Sequence, residues 1–184
     1  MSGVRATTIG AMPDSATTSA TPTDATREEL TREATRAWSD ARSFLFACLG
    51  NVCRSPFAEG LALRQVGRRH AISAGHYPVS GRRSPELALA TAPRFGVNLA
   101  SHRSRVLSRR MLEEADAVFV FDEENYEAVT SHHPGAAERT HLLGALCHEG
   151  PLHIADPFGG PASLYEAVYR QIAGAIAAAG QARK

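Results

Sequence analysis

The sequence predicts an α/β domain, a three-layer αβα sandwich around a four-stranded parallel sheet. Three observations predict it. Short apolar runs of strand length recur along the chain, the clearest being SFLFAC at 43–48 and ADAVFVFD at 115–122. Segments with helix-start signals and helical apolar spacing lie between them. Strands that alternate with helices pair in parallel and carry helices on both faces of the sheet. The length of 184 residues fits one domain, and 43% apolar with 21% charged residues is ordinary for a globular chain.

The elements follow in order. Residues 1 to about 25 are rich in Ala, Thr, Ser and Pro and cannot bury enough apolar surface to offset ordering entropy. We assign residues 1–40 to a disordered tail, with a short helix near its end over about Ala25–Ala41, and residues 41–184 to the domain. Ser43–Cys48 is the first strand. Ser55-Pro56 opens a helix, Ser as a cap and Pro in the first turn, running to about Arg69. His70–Gly75 is the second strand. Ser84-Pro85 opens a helix that Gly96 stops. Ser108–Glu114 is a short helix, Ala115–Asp122 the third strand, Glu123–Thr130 a helix, and Arg139–Leu143 a weak fourth strand. The last helix, Ser163–Ala179, sets Leu164, Val168, Ile172 and Ile176 four apart in one stripe. The arrangement is the doubly wound, flavodoxin-like kind, in which ligands bind at the carboxyl ends of the strands. The loop from Cys48 to Arg54 falls there.

Charge and composition exclude several functions. A net charge of +1 gives no field to draw the chain onto nucleic acid. No stretch reaches membrane-span length, and no signal-peptide pattern precedes the domain. Three cysteines without framework spacing suit a reduced, cytoplasmic thiol protein. The histidines at His132-His133, His148 and His153 show no metal spacing and read as surface residues. We expect no metal, no cofactor, no membrane insertion and a monomer.

The chemistry lies in Cys48-Leu49-Gly50-Asn51-Val52-Cys53-Arg54-Ser55. A turn between strand and helix can curl its N–H groups into an anion-binding cup, and the helix N-terminus adds positive charge there. The Arg54 fork matches two phosphoryl oxygens. The same groups favour a Cys48 thiolate, set beneath a bound phosphate for in-line attack. Gly50 suits a position of positive φ or close approach. Asn51 tolerates left-handed backbone and can tie the loop. The Ser55 hydroxyl can support a departing thiolate.

CLGNVCRSPFAEG resembles the phosphate loop of the low-molecular-weight protein tyrosine phosphatases. Ser73-Ala74-Gly75, GVNLASHRSR at 96–105, Phe121-Asp122 with the helix after it, and Ile154-Ala155-Asp156-Pro157 are similar to further segments of that family, so the likeness runs from about Phe44 to Ala179. The resemblance implies a four-stranded parallel sheet and a two-step reaction through a phosphocysteine. Cys48 would be the nucleophile, Arg54 the phosphate clamp and Asp156 the general acid and base. It implies a phosphotyrosine-containing protein as substrate, bound by Leu49, Gly50, Asn51, Val52, Cys53 and Ser55. Phe158 is one aromatic wall and Tyr77 a candidate second, because the run after Asp-Pro holds one aromatic here.

Several readings stay open at this point. Asp122 competes with Asp156 as a carboxylate at the sheet edge, with a structural role as its first reading. His102 matches a histidine that holds Asn51, or is a surface residue of a basic stretch. Cys53 is a disulfide partner for Cys48 or a packed thiol; Cys147 reads as structural. Arg82, Arg83, Arg103, Arg105, Arg109 and Arg110 form a basic rim or ordinary solvated surface. Val52 favours phosphotyrosine over phosphoarginine, since the relatives that prefer phosphoarginine carry threonine there. A single-cysteine arsenate reductase and a non-catalytic phosphate-binding or redox-sensing module are the alternatives.

Overall fold

The computed structural model describes residues 26–65 and 70–181. The expected tail at 1–25 and the end of the second predicted helix, 66–69, lie outside the described residues. The elements are α1 (Arg27–Asp40), β1 (Ser43–Cys48), α2 (Arg54–Gln65), β2 (His70–Gly75), α3 (Glu86–Thr91), α4 (Arg109–Glu114), β3 (Ala117–Val120), α5 (Glu123–His132), β4 (Thr140–Leu142) and α6 (Ala162–Gln181), with 3-10 turns at Ala92–Phe95, Pro134–Arg139 and Leu143–Leu146. The sheet is four-stranded and parallel throughout, in the order β2-β1-β3-β4.

β1 sits at the centre because both of its faces are apolar. Phe44 and Phe46 point to one face and Leu45 and Ala47 to the other, and all four are buried. On the first face, the rings of Phe44 and Phe46 meet Phe119 of β3 and Trp38 of α1. The opposite face is covered by α2 and α6, joined by Phe57 and Tyr169, whose rings stack 3.8 Å apart with Phe95 against their edges.

The structure attaches α1 to this folded body. The helix starts on a reciprocal capping box between Thr26 and Glu29, and it buries Thr31, Ala34 and Trp38. Arg27 ties its first turn to the carbonyls of Cys147 and Gly150. The expected boundary at residue 41 leaves this helix in the tail, because a stretch whose large apolar residues are Leu30 and Trp38 alone shows too little of an apolar face to announce a core helix. Trp38 is 1% exposed among three phenylalanines, so Trp38→Ala is expected to cost about 3–5 kcal/mol. Urea unfolding checks this; an unchanged midpoint contradicts the packing.

The order 2-1-3-4 reverses direction between β1 and β3. The loops leaving these two strands therefore part at the carboxyl edge and leave a crevice. Cys48 ends β1 and Asp122 follows β3, so both open into that crevice.

Candidate active site

The loop from β1 to α2 wraps around the Cys48 sulfur. The Asn51 N–H points at Cys48 Sγ from 3.3 Å, and the Ser55 hydroxyl lies 3.0 Å from it. The loop carbonyls are taken up elsewhere, on other segments. Cys48 O accepts from the His76 N–H at 3.2 Å and Leu49 O from the Tyr77 N–H at 2.8 Å. Gly50 O accepts from the Arg82 guanidinium at 2.6 Å, and Asn51 O lies 2.7 Å from the His102 ring. A carbonyl can only accept, so His102 Nε2 carries the proton. Four consecutive carbonyls are thereby engaged by groups outside the loop, which frees the loop amides to face an anion.

Asn51 anchors this arrangement. It is the one non-glycine residue with positive φ among the described residues, at 51°, a conformation that asparagine tolerates. Its side-chain amide donates to Ser55 Oγ at 2.9 Å and Ser73 Oγ at 2.8 Å, and its Oδ1 accepts from the Arg105 N–H at 2.8 Å. Ser73 is held in turn by Glu59, which also pairs with Arg105. The backbone of Gly75 backs onto the loop: a Cβ there would stand 2.6 Å from Leu49 O and 2.8 Å from Asn51 N.

Arg54, 1% exposed, is fixed on three sides. Its Nη1 donates to Asp122 Oδ2 at 2.5 Å and to the Ile154 carbonyl at 3.0 Å; its Nη2 donates to Asp156 Oδ2 at 2.7 Å. Burial opposes the charge, but Cys48, Asp156 and Asp122 more than offset it and hold the guanidinium protonated above its ordinary range. Its Nε is buried with no partner. Three of the five N–H bonds of the guanidinium are engaged, and the buried Nε is a donor still able to take an acceptor such as an anion in the cup. Asp122 also caps α5 through the Asn125 N–H at 2.8 Å, so it is engaged on both oxygens in structural contacts. Asp156 is a third exposed, and its other oxygen accepts from the Phe158 N–H.

A cleft of about 320 Å³ opens above the loop, lined by Cys48, Leu49, Gly50, Val52, Cys53, Tyr77, Arg82, Asp156 and Phe158. The structure thus brings together Cys48, Asp156 and the two aromatic walls, with Arg54 beneath the surface and paired to Asp156. Burial pushes the Cys53 thiol up to about 12, partly countered by the Tyr165 hydroxyl 3.8 Å away. Cys53 therefore stays a neutral thiol at physiological pH, leaving Cys48 the thiol of the loop contacted by the Asn51 amide and the Ser55 hydroxyl.

Of the two readings of Gly50, positive φ gives way: the left-handed backbone is at Asn51, whose residue type tolerates it. Glycine at 50 instead admits Arg82, whose Nη2 would stand 2.9 Å from a Cβ there. Of the two readings of the arginines, ordinary solvated surface fits most of them. Arg109 and Arg110 pair with Glu113 and Glu114 on α4, Arg105 pairs with Glu59, and Arg103 folds onto nearby carbonyls. Arg82 alone of them lines the cleft. A cation directly after a glycine in a loop beside the second strand was the only local signal, and it does not reveal which carbonyl the side chain reaches. His102 contacts the loop and is not merely a surface residue. His148 and His153 are exposed, and among the described residues no cluster of His, Cys, Asp and Glu is placed to hold a metal.

Comparison with known proteins agrees with this geometry. Residues 43–180 match the family model described as low molecular weight phosphotyrosine protein phosphatase. A relative from Erwinia amylovora, named as the probable low molecular weight protein-tyrosine-phosphatase AmsI, is 32% identical over 127 residues, covering 69% of this chain and 87% of that protein. Its crystal structure overlays on 77% of this chain and 93% of that one, with a TM-score of 0.72 and 30% identity. A protein-arginine-phosphatase from Geobacillus stearothermophilus is also 32% identical, over 124 residues, covering 67% of this chain and 83% of that protein.

Proposed function

This chain belongs to the low molecular weight phosphotyrosine protein phosphatase family, and on that premise we propose that it hydrolyses phosphotyrosine on proteins through a phosphocysteine at Cys48. The observation that carries the reading is the convergence of the Asn51 amide and the Ser55 hydroxyl on the Cys48 sulfur, beside the paired Arg54 and Asp156.

In the first step the substrate dianion enters the cup. Its oxygens take the loop amides and the open Nε of Arg54, and they compete with Asp156 for Nη2. Asp156, released and in its acid form, turns to the tyrosyl oxygen. The Cys48 sulfur anion attacks phosphorus in line, the P–O bond breaks, and the Asp156 proton passes to the departing tyrosyl oxygen. In the second step Asp156, now a carboxylate, takes a proton from a water that attacks phosphorus from the vacated side. The S–P bond breaks, the Ser55 hydroxyl supports the departing thiolate, and inorganic phosphate leaves. Asp122 and Ile154 O keep the guanidinium in place throughout. Tyr77 and Phe158, 44% and 63% exposed, supply ring faces for the phosphotyrosine.

Asp156→Asn tests the acid. Turnover of phenyl phosphate is expected to fall about 10²–10⁴-fold. The initial phosphorylation rate should fall much less with 4-nitrophenyl phosphate, whose leaving group needs no proton. A loss independent of the leaving group removes Asp156 from the acid role.

Phosphoarginine is the second reading, because a protein-arginine-phosphatase is as similar in sequence as the tyrosine-directed relative. An apolar Val52 on the cleft floor supports tyrosine: it suits an aromatic ring and offers no hydrogen bond to a guanidinium. Relative kcat/KM on a phosphotyrosine and a phosphoarginine peptide decides. The proposal includes action as a monomer, and a catalytic thiol supports a reducing compartment such as the cytoplasm. No helix among the described residues is long and apolar enough to cross a membrane. Cys53 completes the proposal as a partner for Cys48: peroxide would oxidise Cys48 to a sulfenic acid, and the Cys53 thiol would displace water from it to form the disulfide.

A further inference from the structure

Two carbonyls of the phosphate loop are held by backbone amides that the fold sets in place: those of His76 and Tyr77 continue the β1–β2 pairing past the strand ends. The other two are held by side chains, Asn51 O by the His102 ring and Gly50 O by one long side chain from a loop with no regular structure. That side chain is Arg82, whose Nη2 donates to Gly50 O at 2.6 Å. The same guanidinium lies over the Tyr77 ring, 4.6 Å from its centroid. Its backbone is pinned, with the Arg82 N–H donating to Ser104 Oγ and its carbonyl accepting from the Ser104 N–H. Glycine at 50 leaves the room that this approach needs.

We propose that Arg82 is a positioning residue that couples the phosphate cup to the aromatic wall, holding the Gly50 carbonyl out of the cup and the Tyr77 ring against the cleft. The physical case rests on two contacts made by one planar group. A peptide unit has its carbonyl and N–H on opposite sides, so fixing Gly50 O outside the cup turns the N–H of the same peptide, that of Asn51, toward the Cys48 sulfur. Without the guanidinium, the Gly50–Asn51 peptide can rotate and bring a carbonyl dipole toward the anion. Tyr77 is nearly half exposed, and a cation on one face leaves its other face for a substrate ring. Arginine suits both tasks at once; lysine can reach the carbonyl but has no plane to stack. The inference rests on the phosphatase reading and extends it to how phosphate binding and ring binding are joined.

The test separates the two contacts. Inorganic phosphate has no ring, so its inhibition constant and its affinity by calorimetry read the cup alone. KM for 4-nitrophenyl phosphate reads cup and wall together. Arg82→Met is expected to weaken phosphate about 3–10-fold, the size of one ordinary hydrogen bond, because the guanidinium acts on the anion only through the loop. It should raise the aryl phosphate KM further, about 10–30-fold, with kcat changing much less than KM. Arg82→Lys should recover most of the phosphate affinity and only part of the aryl affinity. In a Tyr77→Ala background, the effect of Arg82→Met on aryl KM should shrink to its effect on phosphate. Phosphate affinity unchanged within two-fold in Arg82→Met, or effects of Arg82→Met and Tyr77→Ala that simply multiply, overturns the coupling. Full recovery of both affinities by lysine overturns it too, because a charge alone would then suffice. Should Arg82→Met not fold, Arg82→Lys with its Tyr77→Ala partner decides by the same comparison. A wild type that binds phosphate but turns over no aryl phosphate sinks the phosphatase reading, while the phosphate arm still decides on Arg82.

Discussion

Cys48→Ser is expected to lower turnover on the order of 10⁴–10⁶-fold while leaving phosphate binding in place. The substitution exchanges sulfur for oxygen in a site that is 2% exposed and changes little in volume. The Asn51 N–H and the Ser55 hydroxyl, 3.3 and 3.0 Å from the sulfur, can bond to an alcohol oxygen equally well. The cup, Arg54 and the walls are untouched, so phosphate affinity should survive. What is lost is the nucleophile: an alcohol keeps its proton where a thiol gives it up, and no neighbouring base takes it. In the proposed reaction Ser55 only supports, and Asp156 serves the leaving oxygen. Steady-state kinetics with aryl phosphates and calorimetry with inorganic phosphate check both halves. Residual activity above about 1% of wild type contradicts the assignment.

The second large effect falls on Arg54, where catalysis and stability are expected to fail together. Arg54→Met removes the proposed clamp on the phosphoryl oxygens, at an expected loss of about 10³–10⁵ in kcat/KM. It also leaves Asp122 and Asp156 near each other without their shared cation. The carboxylates sit on loops from different parts of the chain and are about a quarter and a third exposed, so water screens part of the cost. A loss of about 2–4 kcal/mol follows, at and just under the low end of the cost of breaking a fully buried pair. Arg54→Lys separates the two effects. Lysine keeps a charge for the carboxylates, so unfolding in urea should show most of the stability restored. It has no planar fork, so kcat/KM should remain low. If lysine restores activity in proportion to stability, Arg54 is a structural ion-pair partner and not a clamp.

The parts legible in the sequence are those written in neighbouring residues. Ser43–Cys48 reads as a strand because its apolar run is short and ends at a loop, and Ser55-Pro56 marks the first turn of α2 by side-chain chemistry that acts within one turn. Asn51 and the Cys48-to-Arg54 spacing carry the cup for the same reason. Ala115–Asp122 predicts β3, although the ladder covers only Ala117–Val120, since the ends lose their pairing partners. What stayed hidden depends on contacts across the chain. Arg82 looks like one of six arginines until the fold brings it 2.6 Å from Gly50 O, 32 residues away. The reason for glycine at position 50 is hidden with it. Trp38 lies in a charged stretch beside the tail, and only the phenylalanines of β1 and β3 make it a core residue. Asp122 shows its helix-capping role locally but not its contact with Arg54, which comes from 68 residues away.

The central claim is that a phosphoryl group passes through the sulfur of residue 48. Rapid acid quench of Asp156→Asn during turnover of 4-nitrophenyl phosphate, followed by peptide mass spectrometry, measures this directly. The nitrophenolate leaves without an acid, while the missing base slows release of phosphate from sulfur, so the covalent species should build up. A phosphoryl adduct is expected on the peptide containing Cys48, formed with a burst of nitrophenolate near one equivalent per enzyme. A burst with that peptide unmodified, or an adduct on any other residue, contradicts it.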